Sequence, residues 1–201
     1  MGVISRKVAL IVGSSRTHGN SAGLASWLSN LLQQQFAKSE RPFEVVTIDS
    51  TTPPLPLGSI LDGTRFPGQI TDPSQYSSQA IRDWSAFVSS CAAVVILTPE
   101  FNGGYPGDLK NSIDHLSREW RGKPVMLVVY SIRGGASCAA QLRGVMKSLS
   151  MRVVEREVQM LLPVEYGKGA ERVVPGQPAE FLSSYETLVE EVASDLIELI
   201  V

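Results

Sequence analysis

Val8-Ala9-Leu10-Ile11-Val12-Gly13-Ser14-Ser15-Arg16-Thr17-His18-Gly19-Asn20-Ser21 is the stretch on which the fold turns. Five consecutive aliphatic residues stopped by a glycine describe a strand that is apolar on both faces, and such strands belong inside parallel sheets. The hydroxyl-rich loop behind it leads to Leu24, Trp27, Leu28, Leu31 and Leu32. Their spacing of i, i+3, i+4, i+7 and i+8 puts one apolar stripe on a helix. Asn20 and Ser21 are both suitable N-caps for that helix. Strand, loop and helix in this order are the opening unit of an α/β fold.

The pattern recurs outward from there. Residues 94–97 and 125–130 are two more buried-strand runs. Residues 43–48 read as an edge strand, because Glu44 and Thr47 interrupt the apolar run. Residues 151–154 make a fifth strand after the helical segment 136–149. Alternating strands and helices predict right-handed crossovers and a doubly wound parallel sheet with helices on both faces. Phe181, Leu182, Tyr185, Leu188, Val189, Val192, Leu196 and Ile200 form a last amphipathic helix over about 178–200. Two segments lack any period: a Pro-rich insert at about 50–75, with Pro53, Pro54, Pro56, Pro67 and Pro73, and residues 167–178. A loop as long as the first is uncommon in a compact domain.

The 201 residues are 43% apolar and 19% charged, which suits a single globular domain over 1–201. Eighteen Lys and Arg stand against 20 Asp and Glu, giving a net charge of -2 with no basic block, so nucleic acid is not an expected partner. Cys91 and Cys138 are the only cysteines, without metal-ligand spacing, and a disulfide-rich secreted fold is excluded. No run approaches the roughly 20 apolar residues of a membrane span, and the apolar run at 8–12 is too short for the h-region of a signal segment. A cytoplasmic protein is the expectation.

In an open parallel sheet, ligands sit beyond the carboxyl ends of the strands. The loop Gly13–Ser21 ends at a helix N-terminus, whose free N–H groups and dipole favour an anion. It lacks both G-x-G-x-x-G and G-K-[ST], so a single monoester phosphate is a better guest than a dinucleotide or a triphosphate. The bland alternative is a solvated capping turn. After the strand 94–97 comes Thr98-Pro99-Glu100-Phe101-Asn102-Gly103-Gly104-Tyr105-Pro106-Gly107, dense in rigid and permissive residues and holding one shape. Such a turn can pair with the edge of a planar heterocycle, or it can simply bury core aromatics. Ser131-Ile132-Arg133-Gly134-Gly135-Ala136-Ser137 again precedes a helix, with two glycines that let backbone N–H groups approach a ligand, or serves as a plain helix start. Three such loops at one sheet edge argue for one mononucleotide with a phosphate at one end and a flat ring at the other.

These residues resemble the NAD(P)H-dependent FMN reductases, the flavodoxin-like quinone and flavin reductases. The resemblance rests on G-S-S-R-x-x-x-N-S from Gly13, T-P-E-F-N-G-G-Y-P-G-x-L-K-N-x-I-D from Thr98 and S-x-R-G-G-A from Ser131, and it spans about 7–154. It implies a flavodoxin-like five-stranded sheet of order 2-1-3-4-5 and a non-covalent FMN, with NAD(P)H as co-substrate. By position, Ser14, Arg16, Asn20 and Ser21 would hold the phosphate. Pro99, Glu100, Phe101, Asn102 and Gly103 would line the isoalloxazine, and Ser131, Arg133, Gly134 and Gly135 would border its pyrimidine end. Phe101 stands where a Tyr is frequent, and the third loop has fewer glycines than the fuller form.

The implied activity is hydride transfer from NAD(P)H through FMN to a quinone, free flavin or similar acceptor, by a ping-pong mechanism. The flavin carries the chemistry, no catalytic dyad is required, and Arg133 is the candidate stabiliser of the hydroquinone. The resemblance also implies a homodimer, or a tetramer. A flavodoxin-type electron carrier and a flavin-based redox-sensing interaction protein are the alternatives. Such carriers are strongly acidic for docking, which a net charge of -2 is not. His18 and His115 are not assigned to catalysis, Trp84 and Trp120 are read as helix packing, and Lys110 with Asp114 as a helical i, i+4 pair.

Overall fold

Strands and helices alternate along the computed structural model, which describes residues 6–40, 42–60 and 63–200. They are β1 (Arg6–Val12), α1 (Ser21–Ala37), β2 (Phe43–Asp49), α2 (Gln79–Ser90), β3 (Cys91–Pro99), α3 (Gly107–Asp114), β4 (Pro124–Ser131), α4 (Ala136–Ser148), β5 (Arg152–Val153), β6 (Val158–Leu161), α5 (Val164–Gly167) and α6 (Glu186–Ile200). The strands form one parallel sheet in the order β2-β1-β3-β4-β5, the flavodoxin-like winding that the family resemblance implies. Helices cover both faces because each central strand is apolar on both. Val8, Leu10 and Val12 of β1 pack in one cluster with Leu24, Leu28 and Leu32 of α1 and Val189, Val192 and Leu196 of α6. Ala9 and Ile11, one residue out of phase, pack in the other with Trp84, Ile113, Leu142 and Met146 of α2, α3 and α4. Each aliphatic side chain taken fully out of water contributes about 1.5–3 kcal/mol, so register is strongly held.

The fifth sheet position differs from the single strand expected at 151–154. It is shared: β5 pairs the start of β4 (Val125↔Val153), and β6 pairs its end (Val128↔Val158 to Ser131↔Leu161). Between the two strands, Arg143 of α4 takes the carbonyls of Val154 and Glu155 at 3.1 and 3.0 Å and the Glu157 carboxylate. A guanidinium thus satisfies the backbone where the ladder lapses. β6 is amphipathic, with Val158 and Met160 buried and Gln159 and Leu161 out.

Further details differ from the expectations. Asn20 occupies the N-cap position of α1, yet its side chain makes no capping bond. The terminal helix does not start as α-helix near 178, since residues Glu180–Tyr185 form a 3-10 turn that leads into α6. The Pro-rich insert is no free loop. It carries two 3-10 turns, Pro67–Gln69 and Pro73–Gln75, and buries Leu55 and Ile70 in the α2–α4 cluster. Residues 61 and 62 of the insert lie outside the described residues. Trp84 and Trp120 meet edge-on at 6.2 Å inside that cluster, as helix packing, and Lys110 binds Asp114 at 2.5 Å.

Candidate functional site

The loops leaving β1, β3 and β4 converge with the segment that follows β6 around a cleft of about 330 Å³, within the range of small-molecule sites. A larger cavity of about 760 Å³ lies under the insert against Ile70, Tyr76, Ile81 and His115, but none of the three loops reaches it. The cleft is where a sheet of this winding presents ligands.

In the first loop, Ser14 is buried and its Oγ accepts from the Arg16 N–H at 3.5 Å. Ser15 bonds Ser50, the residue just after β2, which ties the loop sideways. Ser21 opens α1, and its hydroxyl is hydrogen-bonded to the Tyr130 hydroxyl at 2.6 Å in a buried pair. Burial pushes the Tyr130 phenol up to about 12, against the opposing pull of Ser21 and the Arg16 charge, so it stays protonated. The N-terminal N–H groups of α1 face the same loop, as an anion site requires.

In the second loop, Phe101 and Gly104 bond reciprocally at 2.8 and 3.0 Å, closing a hairpin turn over Asn102 and Gly103, with φ of 52° and 79°. The left-handed φ at Gly103 is what glycine permits without strain. Gln141 of α4 donates to the Gly103 carbonyl at 2.8 Å and fixes the turn from behind. The Arg16 guanidinium lies 3.9 Å from the centroid of the Phe101 ring, a cation–π contact that joins the first loop to the second. The Glu100 carboxylate accepts from the Cys138 N–H at 3.1 Å, placing negative charge on the first turn of α4. Burial and the nearby Glu100 charge push the Cys138 thiol up to about 12.

In the third loop, the Ser131 Oγ accepts from the Arg133 N–H at 2.9 Å, and Gly134 and Gly135 take φ of 87° and 91°. A Cβ on Gly135 would stand 3.0 Å from the Val129 Cγ2.

Of the residues expected from the sequence, Ser14, Arg16, Asn20, Ser21, Pro99, Glu100, Phe101 and Ser131 line the cleft together. Asn102, Gly103, Arg133, Gly134 and Gly135 stand beside its wall and not in it. Asn20 is there in a different role: its amide donates to the Tyr166 carbonyl at 2.8 Å and accepts from the Val173 N–H at 2.9 Å. The sequence reading missed Tyr130, Leu162, Tyr166, Gly167 and Arg172, which also line the wall. Tyr130, the polar-tipped residue at the end of an otherwise aliphatic strand, carried a readable signal. The others follow β6, where the sequence has no period to place them. His18 borders the cleft, while His115 is buried elsewhere with Nε2 3.2 Å from the Gly58 carbonyl.

The sequence profile of the NADPH-dependent FMN reductase family matches residues 6–161. An NAD(P)H-dependent FMN reductase of Schizosaccharomyces pombe is 34% identical over 160 residues, 80% of this chain and 75% of that protein. A 2-hydroxy-1,4-benzoquinone reductase of Burkholderia sp. is 31% identical over 146 residues, 69% of each chain. Among solved structures, the FerB flavoenzyme NAD(P)H:(acceptor) oxidoreductase of Paracoccus denitrificans superposes with a TM-score of 0.66 at 19% identity, over 96% of this chain and 98% of that one.

Proposed function

This chain belongs to the NADPH-dependent FMN reductase family, and from that premise we propose that it is an FMN-dependent NAD(P)H oxidoreductase reducing quinones, free flavin or similar small acceptors. Bound FMN supplies the hydride chemistry; the chain's residues supply position, charge and shelter. The observation that carries the reading is the convergence of three βα loops on one cleft with an anion-binding end and a rigid turn opposite.

At the anion end, Ser14, Arg16, Ser21 and the first N–H groups of α1 hold the phosphate monoester. Asn20 acts there through the segment it anchors. At the ring end, Pro99, Glu100 and Phe101 would border the heterocycle from the wall, with the Asn102–Gly103 turn beside them. Ser131 would border its pyrimidine edge from the wall, and the Arg133–Gly135 turn beside it would supply backbone N–H groups and the Arg133 charge to that edge. The Asn102–Gly103 turn is braced by Gln141, so its backbone groups need no reorganisation to meet a planar ligand. Both substrates use the same open side of the cleft in turn, which gives ping-pong kinetics. The whole of 1–201 is one FMN-binding domain. Its expected setting is the cytoplasm, in keeping with two free, buried cysteines. The expected assembly is a homodimer or tetramer, for which the exposed Ile60 and Phe66 of the insert offer apolar surface.

Titrating apoprotein with FMN tests the reading: the protein turns yellow, quenches FMN fluorescence, and is bleached by NADPH without air. Initial rates at varied NADPH and quinone then give parallel double-reciprocal lines. A chain that leaves FMN fluorescence untouched is not this enzyme.

A further inference from the structure

Arg172 lies outside the residues matched by the family profile, yet it lines the cleft beside Arg16, Thr17 and His18. Its Nε donates to the His18 carbonyl at 2.7 Å, and its Nη1 to the carbonyls of Gly169 and Glu171 at 2.9 and 2.5 Å. Three carbonyls on one guanidinium hold it in a fixed place and leave its charge unneutralised. Glu165 and Glu171 are its neighbours along the chain, but among the described residues no carboxylate pairs with it and Nη2 has no partner.

The segment that carries Arg172 is stitched across two of the three loops. Asn20 binds it at Tyr166 and Val173. Gly23 of α1 lies so close that a Cβ there would stand 2.0 Å from the Val173 carbonyl oxygen, and a Cβ on Gly167 would stand 2.0 Å from the Ile132 side chain of the third loop. A strap packed this tightly positions a cation as rigidly as a helix would. It also grips the first loop at His18, whose φ of 59° is in the left-handed region. Arg16, meanwhile, has its guanidinium on the Phe101 ring.

We propose that Arg172 supplies a second guanidinium to the phosphate of bound FMN, delivered by the 162–173 strap onto the anion end of the cleft beside the Arg16 loop. This rests on the FMN reading above and adds to it a ligand from outside the three loops. A preformed guanidinium suits a phosphate monoester, since its remaining donors meet phosphate oxygens in plane.

The test compares Arg172→Gln with the unaltered chain by fluorescence quenching of apoprotein with FMN and with riboflavin, which lacks the phosphate. The Kd for FMN rises about tenfold in the variant, the size expected for one charge-assisted contact, while the Kd for riboflavin does not change, so the loss follows the phosphate and not the strap. Arg172→Lys, which keeps the charge, recovers part of the loss. Equal FMN affinity in both proteins overturns the proposal, as does equal FMN affinity with a raised KM for NADPH, which moves the guanidinium to the dinucleotide. A parallel loss for FMN and riboflavin assigns Arg172 to holding the strap alone and overturns the proposal. FMN that fails to bind the unaltered chain is a separate result and removes the functional reading itself.

Discussion

At the first turn of α1, Asn20 uses both ends of its amide on backbone groups of the strap, so the helix start and the cleft wall depend on one side chain. Replacing it with Ala leaves the Tyr166 carbonyl and the Val173 N–H without those partners. We expect Asn20→Ala to cost about 1–3 kcal/mol, the range for losing partnered polar groups, read as a lowered urea midpoint. Asn20→Asp can still accept from Val173 but cannot donate to Tyr166, so its midpoint should fall between the two. If both variants match the unaltered chain, the strap is not anchored there. The Ser21–Tyr130 pair has the same character, since each hydroxyl is the other's buried partner.

At the scale of elements, α4 is where two loops are made to agree. Glu100 from the second loop caps its first turn, Gln141 from its body holds the Asn102–Gly103 turn, and Gly135 turns the third loop into it. Gly135 has two reasons to be glycine, a φ of 91° and the Val129 side chain 3.0 Å from where a Cβ would go. Gly134 has only the first, at φ 87° with open space around it. Gly135→Ala should therefore destabilise by about 1–3 kcal/mol, and Gly134→Ala by less. Thermal midpoints of the two apoproteins check the order, and a reversed order would contradict it. Lys147 in the last turn of α4 complements the helix dipole at its other end.

For the molecule as a whole, alkali should act through its buried acids. Burial holds the Cys138 thiol and the Tyr130 phenol protonated to about 12, whereas their ordinary values are near 9 and 10. Both folded values are raised, so the stability they contribute is fully present below about pH 9. It is lost as the pH climbs from there towards 12, because the unfolded chain ionises first. Lys123 opposes this, since burial lowers its value and the folded chain sheds that proton sooner. The urea midpoint should therefore fall between about pH 9 and 12, and Cys138→Ala should make that fall shallower. Identical pH profiles for the two proteins would show that the thiol takes no part.

The strands, the two helical layers and the three loops were legible in the sequence, because they depend on short-range signals: runs of aliphatics, a 3.6-residue stripe, glycines at the turns; the order of the strands in the sheet came only from the family resemblance. The split of the fifth sheet position was not legible, because Arg143 satisfies the carbonyls in the gap from another element. Neither were the roles of Asn20 and Arg172, whose partners lie 146 and 154 residues away in the chain. Composition and periodicity determine which faces are apolar and where the chain turns. Which buried or bordering polar group meets which is decided only when the strap after β6 is laid across the first loop, since a hydrogen bond is fixed by angstrom-scale position and not by sequence spacing.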